Sequence, residues 1–297
     1  MNRKIVVVAT VPSMVRAFLT NHIKSFSKVF DVTVITNFSS QKDNLDILPN
    51  DVKKIDLPIL RHVKIKNDIK ALILLIKFFY KGKFSIVYSG TPKGGLLSMI
   101  AARVTFVPMR IHTFTGQVWV TKKGIKKYIL RLMDRITATL ATVVLVDSHS
   151  QREFLINNNV VKRNKSQVLG DGSISGFDPK RFSPNLLVRR MVRKEMGIND
   201  STVVFLFVGR LKKEKGLFEL TKAFSELCKI NNNVKLWIIG PDEENLQFEL
   251  ELILSDYLNL INFIPYTLEP EKFMVSADVF CMPSYREGFG STIIEAA

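Results

Sequence analysis

Two short stretches of the chain hold residue types that could do chemistry. The first is "FVGRLKKEKG", residues 207–216. An apolar, strand-like run stops at Gly209, and Arg210, Lys212, Lys213 and Lys215 precede a helical pattern starting near Gly216. Cations at the carboxyl end of a buried strand, beside the unpaired N–H groups of a helix start, suit a pyrophosphate. In isolation the same run also reads as a solvated basic loop. The second stretch is "EGFGSTIIEAA", residues 287–297. Gly288 and Gly290 permit close backbone approach or positive φ. Glu287, in that loop, is a carboxylate able to accept hydrogen bonds from sugar hydroxyls. Glu295 falls in the first turn of a following helix, where "TIIE" also fits a capping box with Thr292 as N-cap and Glu295 at N3.

The elements that must position these residues read as α/β. Apolar runs at 4–10, 31–37, 85–90, 109–115, 142–148 and 166–170 read as strands. Helical patterns over 14–29, 67–80, 94–105 and 124–140 lie between several of them. Near-continuous apolar strands separated by helices predict parallel sheets covered on both faces. The pattern restarts with strands at 201–209, 234–240, 260–265 and 278–283, and helices near 216–231, 243–256 and 269–276. Between the halves lies "GDGSISGFDPKRFSPN", 170–185, rich in Gly, Ser, Pro and charge. The expected architecture is two Rossmann-like domains, 1–178 and 179–297, and ligands then belong at the carboxyl ends of the strands.

Bulk properties narrow the function. The 297 residues suit about two domains of ~150 each, and 46% hydrophobic with 24% charged residues is an ordinary globular composition. Cys228 and Cys281 form no CxxC pair, which argues against a metal or disulfide framework and fits a reducing compartment. "MNRKIVVVATV" is too short an apolar run, and too soon broken by Pro12, for a secretory signal, and reads as a first buried strand. "IKALILLIKFFY" (69–80) falls short of the ~20 apolar residues a membrane span takes. Residues 1–200 carry 34 Lys and Arg against 13 Asp and Glu, while residues 201–297 carry 9 against 14. A basic first half points to an anionic partner. Nucleic acid is excluded by the lack of any aromatic-interleaved basic motif or zinc spacing. The segments 61–83 and 122–141 mix apolar residues with many cations, and suit an anionic bilayer surface or, alternatively, sheet-covering helices with cationic outer faces.

Taken together, "GRLKKEKG" and, some way on, "PSYREGFGSTIIEAA" resemble the retaining family 4 glycosyltransferases of GT-B fold. "GSISGFDPKRF" resembles their hinge, and "TPKGGLLSMIAARVTFVPMRIHTFTG" (91–116) the helix and strand before their cleft. The resemblance runs from residue 4 to 297 and is strongest to bacterial enzymes that build capsule, O-antigen or exopolysaccharide units on lipid carriers. It implies a transferase of hexosyl or N-acetylhexosaminyl type, peripheral on the cytoplasmic face of the plasma membrane. The donor would be a nucleotide-sugar, a UDP-sugar in expectation, and the acceptor a polyprenyl-diphosphate-linked saccharide.

The roles implied are residue by residue. Arg210 and Lys215 would hold the diphosphate and stabilise the leaving group, replacing a metal, so that no cofactor is needed. Glu287 would bind donor-sugar hydroxyls, with Gly209, Gly288, Phe289 and Gly290 lining the sugar and phosphates. Glu295 would bond the ribose, and His112 would face the donor sugar across the cleft. A nucleotide-sugar 2-epimerase of the same fold is argued against by the paired motifs. Three departures stand out: no glycine follows the first strand in "TVPSMVRAF" (10–18), Pro265 takes a position commonly glycine, and Ser175 stands before Gly176 where the hinge commonly has Asn. The family's helix after the second glutamate continues and further elements follow, so the second domain is expected to be incomplete; the alternative reading is a truncated, inactive fragment.

Overall fold

The computed structural model describes residues 3–40 and 43–297. The chain divides into two compact units, Met1–Gly176 and Phe177–Ala297.

Among the described residues the first unit carries seven strands: β1 (Lys4–Val8), β2 (Asp31–Thr36), β3 (Lys53–Asp56), β4 (Ile86–Ser89), β5 (Met109–Phe114), β6 (Val143–Val146) and β7 (Ser166–Gln167). They pair in parallel in the order β3-β2-β1-β4-β5-β6-β7. "KIVVV" is therefore a central strand, buried on both faces as a continuous apolar run predicts. β3, "KKID", escapes the sequence reading because it has no apolar run; it is an edge strand whose lysines face solvent. The helices are α1 (Pro12–Met14), α2 (Thr20–Phe26), α3 (Ile65–Gly82), α4 (Pro92–Val104), α5 (Gly124–Leu140) and α6 (His149–Asn157), with a π-helical turn at Val15–Leu19 between the first two. Two apolar cores, one on each side of the sheet, hold the unit together.

The chain lays β1 to β3 outward, then returns to place β4 on the other side of β1. At that reversal Thr10 and Thr91 meet: the Thr10 N–H donates to Thr91 Oγ1 at 3.1 Å, and the two hydroxyls lie 2.9 Å apart. No glycine is needed after β1, because the strand runs into Pro12 at the start of α1 instead of a tight turn.

The second unit begins with α7 (Leu186–Glu195), capped by Asn185, whose Oδ1 accepts from Leu187 N and Val188 N. Its sheet has β8 (Val203–Val208), β9 (Val234–Ile239), β10 (Ile261–Ile264) and β11 (Val279–Phe280), all parallel, in the order β10-β9-β8-β11. Helices α8 (Leu217–Ile230), α9 (Gln247–Ile253), α10 (Pro270–Ser276) and α11 (Ser291–Ala296) complete it. Arg193 on α7 is 1% exposed and is held by Ser276 O, Asn199 O, Thr202 O and the Asp278 carboxylate. A buried guanidinium is tolerable here because carbonyls and a carboxylate share its donors.

Candidate functional site

In the second unit the chain lays β8, β9 and β10 outward and then places β11 on the other side of β8. The point of reversal lies between β8 and β11, and in open parallel sheets ligands bind there, outside the carboxyl ends. The two sequence motifs are the loops leaving these two strands. β8 ends at Val208, and Gly209 N–H donates to Ile239 O (2.9 Å), tying the loop start to β9. Arg210 and Lys212 follow, then a 3-10 turn at Lys213–Lys215, then Gly216 in the left-handed region (φ 71°), then α8. Gly216 caps α8 without any side-chain hydrogen bond, so the first N–H groups of the helix keep their anion-binding capacity.

The loop leaving β11 lies against that turn. A Cβ on Gly216 would stand 2.1 Å from Pro283 O, so only glycine lets the loops approach this closely. Tyr285 N–H donates to Glu214 O (3.0 Å), the Tyr285 hydroxyl to Glu219 Oε1 (2.6 Å), and Arg286 Nη2 to both Glu214 oxygens (3.0 and 3.2 Å). Burial pushes the Glu214 carboxyl up, but Arg286, with Lys212 and Arg210 further off, outweighs it and the group sits below the ordinary carboxylate range. Across the same seam Lys215 Nζ meets Glu287 Oε1 at 2.5 Å.

A third loop completes the group. After β9, Glu243 Oε2 faces both Arg210 Nη1 (3.2 Å) and Lys212 Nζ (3.0 Å). The loop itself is built by Asp242, whose carboxylate accepts from Glu244 N, Leu246 N and Gln247 N (3.2, 2.9 and 2.9 Å). Sequence reasoning passed over Glu214, Glu219 and Glu243. The signal for Glu243 was present: "PDEE" follows a strand that borders β8, and loops after neighbouring strands share one end of the sheet.

The structure thus sets two ion-paired groups on neighbouring loops, Arg210 and Lys212 with Glu243 and Lys215 with Glu287, and Gly209 starts the first of these loops. Of the two loop glycines it is Gly290 that takes positive φ (82°), and Phe289 is half-buried beside it. Glu295 stands apart: burial pushes its carboxyl up, Arg181 opposes this and Glu271 adds to it, so it faces the α10 side of α11. The capping box is corrected. Gly290 is the N-cap, α11 starts at Ser291, and the Thr292 hydroxyl donates to Met282 Sδ (3.4 Å), leaving Glu295 past the N3 position from which it would cap.

His112 is placed differently from a residue at a strand end. It lies within β5 rather than at its mouth, is 1% exposed, and shares a 2.8 Å hydrogen bond between Nδ1 and Ser89 Oγ. Its ring presses so closely on α4 that a Cβ on Gly95 would sit 2.3 Å from Cε1. Burial drives its pKa down to about 3, so the ring is neutral and enclosed. The ring is thus packed inside the sheet, and the residues that follow the strand are Thr115, Gly116 and Gln117.

In the first unit, α3 and α5 flank α4 on one face of the sheet. α5 exposes Ile125, Tyr128, Ile129, Leu132 and Ile136, and α3 exposes Ile65, Ile69, Ile73 and Tyr80. Among the described residues no helix is long and apolar enough to cross a membrane, and no group of His, Cys, Asp and Glu is placed to hold a metal ion. Cys228 and Cys281 are free.

Comparison with known proteins agrees with this layout. Residues 4–148 match the family described as "Glycosyl transferase 4-like", and residues 188–297 match "Glycosyl transferases group 1". The Staphylococcus aureus capsular polysaccharide biosynthesis glycosyltransferase CapM is 35% identical over 274 residues, covering 91% of this chain and 70% of that protein. An Escherichia coli UDP-Gal:alpha-D-GlcNAc-diphosphoundecaprenol alpha-1,3-galactosyltransferase is 28% identical, covering 90% of this chain and 69% of its own. The Anabaena HepE structure with UDP and glucose superposes with a TM-score of 0.76 over 99% of this chain and 78% of that one, at 16% identity. Two Rossmann-like parallel sheets in sequence, with relatives of this kind, settle the family: the chain belongs to the group 1, family 4-like glycosyltransferases of GT-B fold.

Proposed function

We propose that this chain is a retaining glycosyltransferase that moves a hexosyl or N-acetylhexosaminyl group from a nucleotide-sugar, a UDP-sugar, to a polyprenyl-diphosphate-linked saccharide in capsule, O-antigen or exopolysaccharide synthesis. The observation that carries this reading is the cluster of cations Arg210, Lys212 and Lys215 on the loop leaving β8, with Lys215 paired to Glu287 of the loop leaving β11, at the reversal between those strands. Arg210 and Lys215 hold the diphosphate and, as the sugar–phosphate bond breaks, stabilise the charge left on it. The uncapped start of α8 adds backbone donors. With these cations in place no metal ion is required. Glu287 accepts from sugar hydroxyls, and Glu295 from the ribose.

The reaction is a front-face displacement. The acceptor oxygen forms its bond to the anomeric carbon on the side the phosphate leaves, and the departing phosphate oxygen takes the acceptor proton. A lipid-linked acceptor is supported by the names of the E. coli relative and of a Campylobacter jejuni relative, 20% identical, that acts on a diphospho-undecaprenol substrate. The exposed apolar residues of α5, flanked by Lys122, Lys123, Lys126 and Lys127, favour a peripheral position on an anionic membrane, at the cytoplasmic face where nucleotide-sugars are made.

The test is donor binding and turnover with a panel of UDP- and GDP-sugars. One UDP-sugar is expected to bind, and Arg210→Ala and Lys215→Ala are each expected to weaken UDP by about tenfold or more, as loss of a charge-assisted phosphate contact does. Unchanged UDP affinity in both variants would remove the site assignment.

A further inference from the structure

The cations of the β8 loop already face carboxylates. Lys215 has Glu287, which the proposed reaction uses on the sugar. Arg210 and Lys212 have Glu243, and nothing in that reaction uses Glu243. One oxygen, Oε2, lies between the two cations at 3.2 and 3.0 Å. That is the position an oxygen of a diphosphate takes when two side-chain cations clamp it.

We propose that Glu243 sets the affinity of the donor site by competing with the diphosphate for Arg210 and Lys212. The inference rests on reading this loop as the donor site. A carboxylate and a phosphate oxygen cannot share one place between the same two cations, since the like charges repel and the volumes overlap. Donor entry therefore swings Glu243 out, and its return helps expel the nucleoside diphosphate after transfer.

The loop is built so that this movement is local. Its backbone is held by Asp242 through three N–H groups and by the Leu211 N–H donating to Pro241 O (2.9 Å). These backbone bonds do not run through the Glu243 carboxylate, so the loop keeps its frame when that side chain leaves the two cations. Part-exposed ion pairs contribute little to stability, so breaking the contact costs the protein little. The same weakness means that two phosphates outcompete one carboxylate.

The experiment is calorimetric titration of the 297-residue protein with UDP, for wild type, Glu243→Gln, Glu243→Ala, Glu249→Gln and Arg210→Ala. Glu249 is exposed and lies on α9, outside the three loops, so its neutralisation removes the same charge from the unit. Glu243→Gln and Glu243→Ala are expected to bind UDP about fivefold tighter or better, with Glu249→Gln unchanged. Equal or weaker binding in both Glu243 variants, while Arg210→Ala weakens it, overturns the competition and makes Glu243 a strut for the loop. Equal tightening by Glu249→Gln reduces the effect to net charge and also overturns it. If Arg210→Ala leaves UDP binding unchanged, or no variant binds UDP, the donor-site reading itself fails.

Discussion

At the residue scale two features make sharp predictions. Gly216 combines φ of 71° with a carbonyl 2.1 Å from its would-be Cβ, whereas Gly197 has φ of 65° and open space around it. Gly197→Ala therefore meets only backbone strain, about 1 kcal/mol, while Gly216→Ala must also push the β11 loop away, on the order of 2–3 kcal/mol in all. Urea unfolding of the two variants separates these, and only Gly216→Ala should also lose UDP affinity. The second feature is Asp134, buried on α5, where its Oδ2 accepts from Trp119 Nε1 (2.8 Å). Burial pushes its pKa up to about 7, against the Trp119 hydrogen bond, which lowers it. Because the unfolded chain ionises this group first, its contribution is full at acid pH and is lost as pH rises towards about 7. His112 works the other way. Its folded pKa of about 3 makes the unfolded chain the better proton binder, so stability falls as pH drops below its ordinary 6.5. The two slopes oppose one another in wild type. The Asp134 share shows as a difference: Asp134→Asn should gain on wild type by ~2 kcal/mol between pH 5 and 7.5 in urea unfolding.

At the element scale the loops after β8 and β11 are joined by a charge pair that can be reversed. Arg286→Glu places two acids together at Glu214, and Glu214→Arg places two cations together. Each single change should lower the melting temperature and raise protease cutting within 283–290. The double change should restore at least half of both losses, because the pair is part-buried and both Glu214 oxygens accept from Arg286 Nη2. Failure of the double variant to recover either property would show that the loops are joined by Gly216 and Tyr285 contacts alone.

At the scale of the whole molecule, charge is divided between the halves of the chain. The first 200 residues are strongly basic and the rest mildly acidic. α5 joins an apolar exposed stripe to Lys122, Lys123, Lys126 and Lys127. Each such cation near an anionic surface contributes about 1 kcal/mol, screened within ~10 Å at 0.1 M salt. Flotation should carry the protein with phosphatidylglycerol-containing vesicles but not neutral ones. Lys126→Glu with Lys127→Glu, or 0.5 M salt, should reduce the floated fraction several-fold. Equal binding to neutral vesicles would leave no place for the electrostatic attraction.

Much of this protein was legible in its sequence. The apolar strand runs, their alternation with helices and the restart after residue 200 determine two parallel sheets, since an apolar run this continuous has to be covered on both faces. The basic loop and the glycine loop were legible too, because Arg, Lys and Gly clusters after strands are uncommon as packing residues. Tertiary structure alone decided the rest. β3 and α7 carry too many charged residues to announce themselves, and are held by pairing with β2 and by the buried Arg193. Thr292 lost its capping role because Gly290 turns the chain one residue pair earlier. His112 lies inside the sheet because Gly95 lets α4 close over it, a contact between residues on different elements. Glu243 and Glu214 gained their partners from strand order, with β9 and β11 on either side of β8, and no local pattern records which strands become neighbours.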